Sequence, residues 1–130
     1  VLSRLLPVGR WIGLFTWADV TGQVQALGTA VGAGIFEELV FRGGVCWALF
    51  HVMRDVLGAD RWGSGIVAIL ASASLFAAYH HWGPGGEAWD AARFTFRLHA
   101  GALLGVVFLT RGLGIAAFAH GLYDALVLLG

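Results

Sequence analysis

The segment IFEELVFRGG, residues 35–44, places Glu37, Glu38 and Arg42 inside a run that is otherwise apolar or glycine. On a helix Glu38 and Arg42 stand four residues apart with the acid N-terminal, the favourable order for an ion pair. Pairing reduces the cost of burying both charges. Glu37 is rotated by about 100° from Glu38, over Phe41, and has no local cation. Two further clusters follow. In SLFAAYHHWG, Phe76 and His80 share a helical face, and His81 points elsewhere. In FAHGLYDALV, His120 and Asp124 share a face. Together these groups suit hydrolysis. Glu37 near His80 gives a general base that activates water, and His120 can donate a hydrogen bond to a developing oxyanion.

Other chemistries are less well served. Ser72 and Ser74 precede His80 on the same helix, and Cys46 has no visible base, so a covalent nucleophile is poorly placed. Glu37, His80 and His120 match a hydrolytic zinc site in ligand type; the HExxH helix motif is absent. Each cluster also has a purely structural reading: a buried salt bridge, two histidines at a membrane surface, a self-satisfied His–Asp pair. His51 and His99 read as interfacial or packing residues. Three clusters on three successive apolar segments argue for one shared site, since intramembrane ionisable residues with a nameable partner are functional candidates.

The elements that must position these groups are membrane helices. Hydrophobic residues make up 58% of the 130-residue chain and charged residues 12%, with mean hydropathy +0.78. A soluble domain carries about twice that charged share. The net charge is zero, so no basic footprint points to nucleic acid. A single cysteine, Cys46, excludes an internal disulfide. Open strand edges are not tolerated in lipid. The expected fold is therefore all-α: one polytopic membrane helix bundle over residues 1–130, with about four spanning helices plus an N-terminal helical piece.

The apolar segments run over about 5–20 (the N-terminal piece, interfacial or a partial span), 24–56, 65–81, 94–110 and 115–129. GPGGEAWDAAR forms the clearest loop and RGLG a short turn. Arginines divide too evenly between the two sides to fix an orientation. Arginine is the sole Lys/Arg residue used, and alanine and glycine are abundant, a bias of GC-rich bacterial genomes, so the expected location is the bacterial cytoplasmic membrane.

The motifs EELVFR (Glu37, Glu38, Arg42), FAAYH (Phe76, His80) and HGLYD (His120, Asp124) occur in this order on successive apolar segments. This pattern resembles the CPBP family of CAAX proteases and bacteriocin-processing enzymes, also called the ABI or type II CAAX prenyl endopeptidase family. The similarity covers about residues 34–128. It implies an intramembrane endopeptidase acting on peptide or membrane-protein substrates, in which Glu37 and His80 activate water and His120 and Asp124 stabilise the oxyanion. Glu38, Arg42 and Phe76 would support the site. The family is often described as metallo, with Glu37, His80 and His120 as possible ligands of a divalent metal such as zinc; a glutamate-dependent, metal-free route is the other description. A non-catalytic relative acting as a bacteriocin immunity or membrane scaffold protein is the alternative, and an ion pathway through the buried carboxylates a third.

Two departures carry expectations of their own. Many relatives have asparagine where Asp124 stands. Ionised aspartate only accepts hydrogen bonds, so the favoured role for Asp124 is orienting His120. Relatives also carry more spans before the first motif, so part of the bundle is expected outside this chain. To bring Glu37 level with His80, the motif helix is expected to bend or restart within GTAVGAG, residues 28–34.

Overall fold

The structure, a computed structural model, describes residues 17–82 and 85–129. Most of the expected N-terminal piece lies outside the described residues. Among the described residues there is no strand, and four helical rods carry the architecture.

The first rod is continuous but changes character. Helix α1 (Trp17–Glu38) passes into a π-helical stretch, Leu39–Cys46, then α2 (Trp47–His51) and a second π-helical stretch, Val52–Val56. The Trp47 N–H donates to the carbonyl of Arg42, five residues back, which is the π pattern. Gly58, with φ of 70°, lets the chain reverse where a side chain would be strained. Helix α3 (Arg61–Tyr79) is capped by Asp60, whose carboxylate accepts from Trp62 N–H at 2.9 Å and Gly63 N–H at 3.0 Å. Asp90 caps α4 (Ala91–Arg111) through the Arg93 N–H at 2.8 Å. Gly112, φ 91°, then turns the chain into α5 (Leu113–Leu129).

Three segments are long and apolar enough to cross a membrane: 37 residues at Val20–Val56, 19 at Arg61–Tyr79 and 21 at Ala91–Arg111. At 1.5 Å per residue, α3 is about 28 Å long, close to the roughly 30 Å hydrocarbon core. Trp62 and Trp82, both about four-fifths exposed, bracket it in the manner of interfacial anchors. The α5 rod has 17 residues and is somewhat shorter. Outward faces carry Phe36, Leu39, Trp47, Leu70, Leu103 and Phe118, apolar surface that fits lipid. The chain is a multi-pass helical membrane protein.

Packing relies on small residues. α4 runs back along α3: a Cβ on Gly101 would stand 3.1 Å from Phe76 Cδ1 and 3.2 Å from the Ala73 backbone, and one on Gly105 3.2 Å from Ile69. α5 runs back along α1, with Gly34 against Gly121 and Gly121 against Val31. Such close approaches are how helices associate in lipid, where burial of apolar surface supplies little.

The expected break within residues 28–34 does not occur; α1 runs straight through it. Gly34 serves instead as the contact with α5, while Gly28 and Gly32 have nothing near them. The level of Glu37 is met differently. The rod is longer than a bilayer, its first half packs on α5, and α3 packs on the stretch that follows Glu38. The irregular backbone begins at Leu39, immediately after the two carboxylates.

Candidate active site

Glu38 and Arg42 form the base of the site. Both are fully buried, with Arg42 Nη1 2.7 Å from Glu38 Oε1. Arg42 also donates from Nη2 to the Gly101 carbonyl at 3.1 Å, and its guanidinium lies 4.6 Å from the Phe76 ring centroid, a cation–π contact. The sequence expectation of an i,i+4 pair therefore holds, with α4 and Phe76 completing it. The π-helical stretch keeps Phe41, Arg42 and Cys46 together on the buried side. Ser72, from α3, donates its hydroxyl to the Phe41 carbonyl at 2.7 Å, tying the two elements at this level.

The two histidines are each fixed through one ring nitrogen. His80 Nδ1 lies 2.9 Å from the Phe76 carbonyl. A carbonyl only accepts, so this nitrogen carries a proton and donates. His120 Nδ1 lies 2.9 Å from Glu38 Oε1 and, against an ionised carboxylate, donates for the same reason. Both rings thereby present Nε2 to Glu37: His80 Nε2 is 3.8 Å from Glu37 Oε1, and His120 Nε2 is 3.7 Å from Glu37 Oε2. These separations exceed a direct hydrogen bond. They suit a water or a substrate group bridging the partners.

Asp124 Oδ2 stands 3.6 Å from His120 Nε2, on the side where Glu37 also faces it. The carboxylate that orients His120 at hydrogen-bond distance is Glu38. Asp124, expected to orient His120, reaches the other ring nitrogen along α5, so the two carboxylates address opposite edges of the ring. Phe76, 4% exposed, packs edge-on against both rings, 4.9 Å from His80 and 5.7 Å from His120. It separates the histidines and shields the Arg42–Glu38 pair.

His80, His120, Asp124 and Phe76 line a cleft of about 670 Å³ between α3, α4 and α5. Glu37 has a side-chain exposure of 16%, against 0% for its neighbour Glu38. The four residues expected to react, Glu37, His80, His120 and Asp124, are thus brought together, with Glu38, Arg42 and Phe76 packed around them. His51 pairs instead with Asp55 at 2.6 Å on the surface, His99 bonds the Thr95 carbonyl, and His81 stacks near Trp89 and the Glu87 carbonyl.

The sequence reading missed three contributors. Gly101 supplies the carbonyl for Arg42, Tyr123 lines the cleft, and Glu87, Arg93 and Arg97 form a charged wall. A signal existed only for the last: Arg93 and Arg97 lie four apart on one face of a span.

Among the described residues no group of three or more His, Cys, Asp or Glu side chains is arranged to hold a metal ion. The two Nε2 atoms address different oxygens of Glu37. Glu37, His80 and His120 are thus not arranged as a three-ligand metal site in this structure.

Comparison with curated proteins and with solved structures gave no match. A family model, described as type II CAAX prenyl endopeptidase Rce1-like, matches residues 20–126. That span contains every residue of the site and most of the chain, so the protein belongs to the Rce1-like type II CAAX prenyl endopeptidase family, a family of intramembrane endopeptidases.

Proposed function

We propose that the protein hydrolyses peptide bonds of a membrane-associated protein or peptide, using water activated by Glu37 and His80. The observation that carries this reading is the facing of two fixed imidazole edges toward the two oxygens of one carboxylate, 3.8 and 3.7 Å away, at a cleft. A water between Glu37 and His80 gives its proton to Glu37 as its oxygen attacks the carbonyl carbon. His120, as the imidazolium, donates Nδ1–H to Glu38 and Nε2–H to the oxyanion that forms. Glu37 then returns the proton to the departing amine nitrogen as the carbonyl re-forms. Asp124, an acceptor when ionised, holds the Nε2 edge of His120 toward the cleft. Glu38 and Arg42 position His120 and take no part in bond making. The location that fits the arginine-only, alanine- and glycine-rich chain is a bacterial cytoplasmic membrane.

The deciding experiment is cleavage of a reporter peptide or membrane protein by the full chain in proteoliposomes. Glu37→Gln is expected to abolish cleavage while leaving the protein folded. Full cleavage by folded Glu37→Gln would sink the peptidase reading. An immunity or scaffold function that survives this substitution would replace it.

A further inference from the structure

One charged cluster on the wall of the same cleft has no part in that chemistry. Glu87, in the loop between α3 and α4, accepts from Arg97 Nη2 at 2.6 Å, Arg97 Nη1 at 3.1 Å and Arg93 Nη1 at 3.0 Å. Arg93 and Arg97 are four residues apart on α4, a spacing at which like charges repel, and one carboxylate neutralises only one of them. Arg97 grips Glu87 with the two-pronged fork that guanidinium makes with carboxylate. Those three bonds use a minority of the donors that two guanidinium groups offer.

The placement is what gives this ion pair meaning. An exposed salt bridge contributes little to stability. Glu87, Arg93 and Arg97 line the cleft together with His80, His120 and Asp124. Arg97 is the more enclosed arginine, at 19% side-chain exposure against 64% for Arg93. The loop is tied to the reaction groups directly, because the Glu87 N–H donates to the His80 carbonyl at 2.9 Å. Arg97 lies one helical turn from Gly101, about 6 Å along the axis, a distance that two extended residues span. Arg97 first, and Arg93 with it, hold the Glu87 carboxyl at about 2, so it is a carboxylate throughout the neutral range.

We propose that Arg97, assisted by Arg93, is a receptor for a carboxylate carried by the substrate, and that Glu87 occupies this receptor until the substrate displaces it. The proposal rests on the peptidase reading for the word substrate, and it deepens that reading by naming a group the substrate must carry. A carboxylate is favoured because the fork already holds one. A peptide is favoured over a lipid because the principal arginine is the enclosed one on the cleft wall.

The test uses the full chain with Glu37→Gln, in phosphatidylcholine nanodiscs, so that binding is read without turnover. Three fluorescent apolar hexapeptides serve as probes: one with a free C-terminal carboxylate, one C-terminally amidated, and one amidated with a glutamate side chain near its end. At least one carboxylate-bearing probe is expected to bind about tenfold or more tighter than the plain amide, the gain of one charge-assisted fork. Which of the two binds tighter identifies the source as terminal or side-chain. Arg97→Gln is expected to bring all three within about twofold, and Glu87→Gln to tighten the carboxylate probes alone, about threefold or more. Equal binding of the three probes overturns the proposal, as does selectivity that survives Arg97→Gln. So does Arg97-dependent retention of phosphatidylglycerol, read in parallel nanodiscs doped with that lipid, without any peptide preference, which assigns the anion to lipid. Should Arg97→Gln fail to fold, unchanged probe binding in Glu87→Gln overturns it. Cleavage by the unsubstituted protein separates the two readings. Binding with selectivity but no cutting removes the peptidase and keeps the receptor; equal cutting of all three probes does the reverse.

Discussion

Glu37 and Glu38 are adjacent in the chain and belong to different regions of the molecule. Glu38 sits in a sealed layer with Arg42, Phe76, Ser72 and the Gly101 carbonyl, at zero exposure and with a 2.7 Å ion pair. Glu37 faces His80 and His120 across gaps of 3.8 and 3.7 Å, where those rings line a cleft. The sealed layer is built from short contacts among groups with fixed partners. The open region is built from the Glu37 carboxylate and the Nε2 edges of two histidines, which face one another just beyond bonding distance. A charge buried in the first region stabilises the bundle only as part of a pair; a charge held in the second is left available for a proton. Both histidines link the two regions: His120 bonds Glu38 and His80 the Phe76 carbonyl through Nδ1, and each turns Nε2 to the open region.

This contrast makes separable demands. Glu37→Gln is expected to lower the cleavage rate by about 10²–10⁴-fold, the usual yield of a positioned general base, with an unchanged unfolding midpoint in detergent. A large fall in the midpoint would place Glu37 in the sealed layer and dissolve the distinction. Arg42→Ala leaves Glu38 buried without its cation and is expected to cost about 3–5 kcal/mol of stability, read by thermal or denaturant unfolding in detergent. An Arg42→Ala protein as stable as the parent would show that the layer is not sealed.

Smaller effects probe the packing behind each region. Gly101→Ala puts a Cβ 3.1 Å from Phe76 Cδ1 and 3.2 Å from the Ala73 backbone, and is expected to cost about 1–3 kcal/mol by overpacking. Unfolding curves for Gly101→Ala against the parent measure it, and a neutral result would argue against close contact of α3 and α4. Gly28→Ala should be the mildest. Nothing lies within 4 Å of that position, and alanine favours a helix interior over glycine by up to about 1 kcal/mol. A higher unfolding midpoint is expected; a lower one would restore the break that the glycine-rich stretch suggests.

Residues on one helix were legible from spacing. Glu38 with Arg42, Phe76 with His80 and His120 with Asp124 each follow from the i,i+4 geometry of a single helix, and composition was enough to give a membrane helix bundle. Contacts between helices were not legible, because sequence carries no record of which turn meets which. The Glu38–His120 bond joins residues 82 apart, and it adds a partner at Nδ1 to the expected neighbour Asp124 at Nε2. The carbonyl of Gly101 has no side chain to announce it. The π-helical stretch after Glu38 also has no spacing signature that the glycines at 28–34 do not imitate better, so irregular backbone was expected one turn too early.

The long first rod sets the depth of the chemistry. Its 37 apolar-window residues measure about 55 Å, and fitting them into a hydrocarbon core of about 30 Å by tilt alone would take more than the usual 0–40°. Part of the rod therefore stands outside the slab. The vertical register of the bundle is set instead by α3 with Trp62 and Trp82 at its ends. Glu37 faces His80 at the Trp82 end of that ruler, so its carboxylate is held near one headgroup layer. Lengthening the acyl chains of the host bilayer is expected to draw that layer past the carboxylate and slow cleavage. Proteoliposomes graded in acyl-chain length would show this as a falling rate, and a flat rate would mean that the site keeps its own water regardless of bilayer thickness.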